Sequence, residues 1–198
     1  MTRPLVLDDI EDLRRYERGR DEYRRRIIEL KRRRRVAVGP LVTLVFENRD
    51  TVRFQVQEMA RAERMMSDAQ IQGELDVYNA LLPGAGELSA TLFIELTDDA
   101  ALREWLPKLV GIERTVELRL GPDEPAVVVA RPEAAHEQAL TRPTITASVH
   151  YLRFTLGAAE VRRLADGPAV LAVAHPAYRH AVRLEDETVA ELLSDLDS

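Results

Sequence analysis

Side-chain chemistry in this sequence falls to a few carboxylates and one imidazole. Glu47 stands where an apolar run hands over to a helix, Glu58 lies further along that helix, Glu95 ends an alternating strand, and His150 lies within another strand. A carboxylate or imidazole so placed can hold a divalent metal or move a proton. If one sheet brings these segments together, Glu47, Glu58, Glu95 and His150 line a single pocket, with Glu47, Glu58 and His150 as the metal ligands. Arg53, Arg61 and Arg153 are the nearest cations that could neutralise such a cluster, which would otherwise cost several kcal/mol to bury. Each residue also has a plainer use. Glu47 can cap the helix that follows, Glu58 can enter an ion pair, and His150, sharing strand parity with Thr146, Ser148, Leu152 and Phe154, can be a hydrogen-bonded core histidine.

Composition removes much other chemistry. The chain has no cysteine, so disulfides, thiolate nucleophiles and cysteine-ligated iron–sulfur or zinc sites are excluded. The histidines are His136, His150, His175 and His180, and the lysines are Lys31 and Lys108, so no Gly-Lys-Ser/Thr phosphate loop can be written. His136 falls in an expected loop from Arg131 to Pro143. His175 and His180 bracket Pro176 and Tyr178, a pattern that suits a rigid corner as well as a ligand site. No Ser–His–Asp order, glycine-rich fingerprint or aromatic-laced basic strand is present. No apolar run approaches the roughly 20 residues of a membrane span, and Met1 to Ile10 lack a signal-peptide core, so a cytoplasmic protein without membrane contact is expected.

The elements that must position these residues follow from periodicity. Asp8 to about Arg34 lacks proline within it, opens on acidic residues and closes on arginines, which suits a long helix and its dipole. Leu13, Tyr16, Tyr23, Ile27 and Leu30 form one apolar seam on that helix, to be covered by its own domain or by a second copy. Val36–Phe46 reads as a buried strand broken by Gly39 and Pro40, and helices are expected to Met66 and over Ala69–Leu82. Leu88–Leu96 alternates as a half-buried strand. A short helix follows to Lys108, and Arg114–Leu120 and Ala126–Ala130 make a hairpin. Thr144–Leu156, Ala158–Ala165, Ala169–Ala174 and Asp186–Leu196 read as strand, helix, strand and helix. The expected fold is α+β, with a mixed or mostly antiparallel sheet of about six strands, packed helices and a long N-terminal amphipathic helix. The expected division is a basic helix over 1–35 and an α+β domain over 36–198.

Charge is divided along the same line. The first 35 residues carry 13 Lys and Arg against 8 Asp and Glu, and the remaining 163 carry 15 against 26, giving +5 and −11. The cluster Arg32–Arg35 therefore faces an acidic body of its own chain, which makes nucleic acid an unfavoured partner.

The order of landmarks resembles the DUF3501 family. It rests on Arg34–Arg35–Val36 leading to Gly39, Phe46–Glu47–Asn48, Gln57–Glu58–Met59, Glu74–Leu75 with Tyr78–Asn79, Leu82–Pro83, Leu88–Ser89–Ala90–Thr91, His150–Tyr151–Leu152–Arg153–Phe154 and His175–Pro176–Ala177–Tyr178. The resemblance covers nearly the whole chain and brings no established activity. It implies an accessory part in redox or peroxide metabolism. The expectation is a non-catalytic accessory or interaction protein, homodimeric, with a redox protein as partner. The alternatives are a metal-dependent enzyme with a carboxylate/histidine site and a nucleic-acid-binding regulator acting through Arg32–Arg35.

Overall fold

A computed structural model of the chain describes residues 2–122, 124–134 and 143–197. Helix α1 spans Leu13–Arg34, later than the acidic run suggested. Leu7–Asp9 form a separate 3₁₀ turn, and Asp12 is the cap, its side chain accepting from the Arg15 N–H. Lys31, Arg32, Arg33 and Arg34 fill the last turn, favourable against the negative end of the helix dipole. Strands β1 (Arg35–Val38) and β2 (Val42–Glu47) follow, then α2 (Arg49–Ala62) and α3 (Asp68–Tyr78). Asn48 and Thr51 close a reciprocal cap on α2, and Ser67 caps α3. Strand β3 (Glu87–Ile94), α4 (Asp99–Lys108), β4 (Val116–Leu120), β5 (Ala126–Val129), β6 (Arg131–Pro132) and β7 (Val149–Thr155) form the middle. Helix α5 (Ala158–Asp166), β8 (Ala169–His175), β9 (Tyr178–Arg183) and α6 (Asp186–Leu196) complete the chain.

The fold is α+β with six α-helices among the described residues, and its strands lie in two antiparallel sheets. One has the order β1-β2-β3-β7-β6 and the other β5-β4-β8-β9. Alternation along the strands gives each sheet two faces. Leu44, Phe46, Leu92, Leu152 and Phe154 from the first sheet and Leu118, Leu120 and Leu171 from the second belong to one core. The opposite face of the first sheet carries Glu47, Thr91 and Tyr151 beneath a smaller core of Val52, Val56, Leu75 and Leu81.

Two sheets instead of one account for the main departures from the periodicity. The run Val36–Phe46 is a hairpin, with β1 paired to β2 across a turn in which Gly39 has φ +76°. A Cβ on Gly39 would stand 2.4 Å from His180 Cγ and 2.6 Å from the Tyr178 hydroxyl, so only glycine fits there. The segment after Pro176 is strand β9, and its first residue joins the sheets. Tyr178 donates its hydroxyl to Val38 O (2.7 Å) and accepts from Leu41 N–H (2.9 Å). The expected loop from Arg131 begins with β6, paired to β7, and the strand expected from Thr144 starts at Val149. Among the described residues no helix is long and apolar enough to cross a membrane.

Helix α1 lies against α2, β2 and α6. Its seam is filled from within the chain: Tyr16 and Ile27 are buried, and Leu13, Tyr23 and Leu30 are half-buried. Beyond it, Arg34 is 1% exposed and pairs with two carboxylates of α6. It donates to Asp195 at 2.7 and 2.8 Å and to Glu191 at 3.0 and 3.2 Å. Arg33 also holds Glu191 (2.7 Å), Arg32 holds Glu29 and Glu187, and Arg35 holds Glu95. All four guanidiniums of the cluster are neutralised by the chain itself.

Removing one member of a buried ion pair strands the other, at about 3–5 kcal/mol, whereas replacing the whole set with apolar groups is often neutral. Arg34→Ala should lower the urea-unfolding free energy by that amount. Arg34→Met combined with Glu191→Leu and Asp195→Leu should recover most of it, and Arg33→Ala should cost about 1 kcal/mol or less.

Candidate functional site

The structure separates the four residues expected to share a pocket. Ladder pairing sets Glu47, Ser89 and Arg153 on one face of the first sheet, and Leu44, Leu92 and His150 on the other, so the sheet itself stands between Glu47 and His150. His150 is 2% exposed, and its Nε2 lies 2.8 Å from Thr146 Oγ1 and 3.0 Å from Ala147 O. Glu95 follows β3 near Thr43, four residues and about 13 Å along β2 from Glu47. It accepts from Thr43 Oγ1 (2.8 Å) and pairs with Arg35. Glu47 is 2% exposed and accepts from Thr91 Oγ1 (2.7 Å), while its Oε2 is buried without a hydrogen-bond partner. Among the described residues no three carboxylates or imidazoles group as metal ligands, so Glu47, Glu58 and His150 do not form the ligand set.

The other histidines are placed as follows. His175 Nε2 lies 3.1 Å from Val110 O and Nδ1 accepts from Ala177 N–H (3.2 Å), which assigns the ring proton to Nε2 and makes this residue a corner brace. His180 stacks on Tyr178 at 4.4 Å. His136, the end of a Glu-x-x-His spacing from Glu133, lies outside the described residues.

Glu58 leads instead to a cleft between α1 and α2. It accepts three hydrogen bonds, from Tyr16 Oη (2.7 Å) and from Arg20 Nε and Nη2 (both 2.8 Å). The Arg20 fork, aided by Tyr16, holds the Glu58 carboxyl down at about 2. Burial pushes the Tyr16 hydroxyl up, and donation to the Glu58 carboxylate pushes it further. Below this brace Gln57, 1% exposed, clamps the approach to α1. Its amide donates to Glu11 O (2.9 Å) and its carbonyl accepts from Glu11 N–H (2.8 Å).

The cleft has a volume of about 390 Å³ and is lined by Glu11, Tyr16, Gly19, Glu22, Tyr23, Arg26, Arg53 and Gln57. Tyr23 stands in its wall, edge-to-face with Tyr16 (6.1 Å) and Phe54 (5.6 Å). The Arg26 and Arg53 guanidiniums lie 5.1 and 5.6 Å from the centre of its ring. Arg53 Nε donates to Asp9 O (2.6 Å), which fixes its stem and leaves the outer nitrogens uncommitted. Among the described residues neither Arg26 nor Arg53 has a carboxylate within ion-pair distance, in contrast to Arg20 and Arg32–Arg35. Burial raises the Tyr23 pKa, and its hydroxyl oxygen is buried without a hydrogen-bond partner. A mid-helix glycine costs about 0.5–1 kcal/mol against alanine. A Cβ on Gly19 would meet nothing within 4 Å, so the missing side chain leaves the cleft open.

Periodicity placed Tyr16 and Tyr23 on the inward seam but did not mark Arg26, Glu22 or Gly19. The available signal was Gly19 itself, a helix-weakening residue in the middle of the longest helix.

The model of a family described as "Protein of unknown function (DUF3501)" matches residues 4–196. A crystal structure of a protein of unknown function from Burkholderia pseudomallei K96243 matches with a TM-score of 0.88 at 37% identity, covering 98% of this chain and 100% of that one. No curated protein gives a significant match.

The Glu58 brace predicts a pH dependence. Folding lowers the Glu58 pKa, so the stability it contributes is complete above the ordinary carboxylate value of 4.5 and is lost as pH falls towards about 2. Glu58→Gln should cost about 1–3 kcal/mol at neutral pH. Its unfolding free energy should then change less than the wild type's between about pH 5 and 2.5. Parallel curves would show that the brace contributes nothing.

Proposed function

The chain belongs to the DUF3501 family, and on that premise we propose that it acts by binding, holding a small organic anion in the cleft between α1 and α2. One observation carries the reading: the guanidiniums of Arg26 on α1 and Arg53 on α2 converge on the ring of Tyr23 in one cleft, without a carboxylate partner among the described residues. An unpaired guanidinium in a half-enclosed cleft keeps its planar donor fork for a carboxylate or phosphate, and Tyr16 and Tyr23 supply an apolar wall. A cleft of this volume suits a small molecule. Binding is favoured over turnover because Glu58, Glu95 and His150 are each engaged by neighbours of the same chain. The accessory role in redox or peroxide metabolism is compatible with a binding protein and rests on the family resemblance.

Thermal unfolding with benzoate and phenyl phosphate tests this reading, with sodium chloride at equal ionic strength as control. A ligand at ten times its Kd stabilises by about 1.4 kcal/mol, a Tm rise of about 3–6 °C at this chain length. The rise should vanish in Arg26→Gln/Arg53→Gln, whose own fold should change little. No response from either anion, or an equal response in the double variant, would refute the assignment.

A further inference from the structure

We propose that the free edge of β5 pairs antiparallel with β5 of a second copy of this chain, joining the two four-stranded sheets into one. Strand β5 is an edge strand, and among the described residues no strand pairs with its outer side. Ala130 N–H donates to Val116 O, extending the β4–β5 register of Leu118 with Val128 and Leu120 with Ala126. Hydrogen-bonded pairs alternate along an antiparallel ladder, so Ala126, Val128 and Ala130 direct their backbone groups to β4. The N–H and C=O groups of Val127 and Val129 therefore point to the open edge.

Edges of this kind are normally guarded by charge, proline or a bulge. Here Ala126–Ala130 carries no charged residue and no proline, and Val127 and Val129 are 51% and 49% exposed. A groove of about 440 Å³ runs beside the strand, reaching from Val127 to Arg131 and bordered by Thr155 and Glu160.

The geometry of the strand selects the occupant. A two-fold axis through Val128 keeps the sheet faces in register and sets Val127 of one copy opposite Val129 of the other. Both residues then exchange N–H and C=O bonds with their partners, which gives four backbone hydrogen bonds. Charge agrees with this direction: exposed Glu124 precedes the strand and exposed Arg131 follows it. Antiparallel pairing brings the acidic start of each strand beside the basic end of the other, whereas parallel pairing would bring like charges together.

Sedimentation equilibrium on the full chain reads the outcome. The wild type should be dimeric at about 10 μM, in the range of a modest symmetric interface. Val127→Pro removes a donor that β4 does not use, and proline is tolerated on the outward side of an edge strand. It should weaken the dimer by about 100-fold or more with an unchanged far-UV spectrum and Tm. Val129→Lys places a charge at the same seam by an independent route and should do likewise, so it decides the matter if the proline variant fails to fold. A wild type that stays monomeric at about 100 μM overturns the proposal, as does a dimer that survives both substitutions, since its interface would lie elsewhere.

Discussion

Arg34 must be neutralised at the point where α1 runs into β1, and the rest of the architecture is arranged around that requirement. A guanidinium taken almost wholly out of water costs several kcal/mol unless every donor is met. The carboxylates that meet it, Glu191 and Asp195, lie one helical turn apart on the last helix, more than 150 residues away in sequence. The first and last helices are thereby tied together. With its C-terminal end fixed, α1 lies along α2, and its apolar seam is covered by the chain's own residues.

The same bookkeeping of charge explains why one place on α1 differs from the others. The basic stretch that gives the first 35 residues their +5 is neutralised at particular places on folding: Arg20 by Glu58, Arg32 by Glu29 and Glu187, Arg33 by Glu191, and Arg35 by Glu95. Arg26 and Arg53 stand apart, held over an aromatic ring instead of a carboxylate. Other arginines of α1, such as Arg24 and Arg25, also form no ion pair among the described residues, but Arg26 and Arg53 together line one cleft, over one aromatic ring, where a small anion can reach them. The Glu58 brace matters here because it orients Tyr16 and fixes the spacing of the two helices that form the walls.

Much of this fold was legible in the residues. The spacing of Leu13, Tyr16, Tyr23, Ile27 and Leu30 defined α1 and its inward face, and the alternation of Leu88–Leu96 located β3. Local periodicity cannot report partnership, and that is where the reading failed. Glu47 and His150 each suited a site, but only the β2–β3–β7 register places them on opposite faces of a sheet, and register is a long-range property. Strand β9 was not expected, since His175 and His180 around Pro176 and Tyr178 read as a corner, and Arg179, His180 and Arg183 give it no apolar alternation, which an edge strand tolerates. The cleft was missed for a related reason. Arg26 is an ordinary surface arginine in sequence and Arg53 was read only as a neutralising partner for Glu47 and Glu58, and what singles the two out is their meeting over the Tyr23 ring from different helices.

The most direct measurement observes those two guanidiniums. In a benzoate titration followed by two-dimensional NMR of the arginine Nε–H groups, the account predicts that the Arg26 and Arg53 resonances move together along one saturable curve. Those of Arg20 and Arg34, already bound to Glu58 and to Glu191 and Asp195, should stay in place. Shifts spread evenly over the exposed arginines, or none at Arg26 and Arg53 up to about 10 mM benzoate, would contradict the claim that this cleft is the binding site of the molecule.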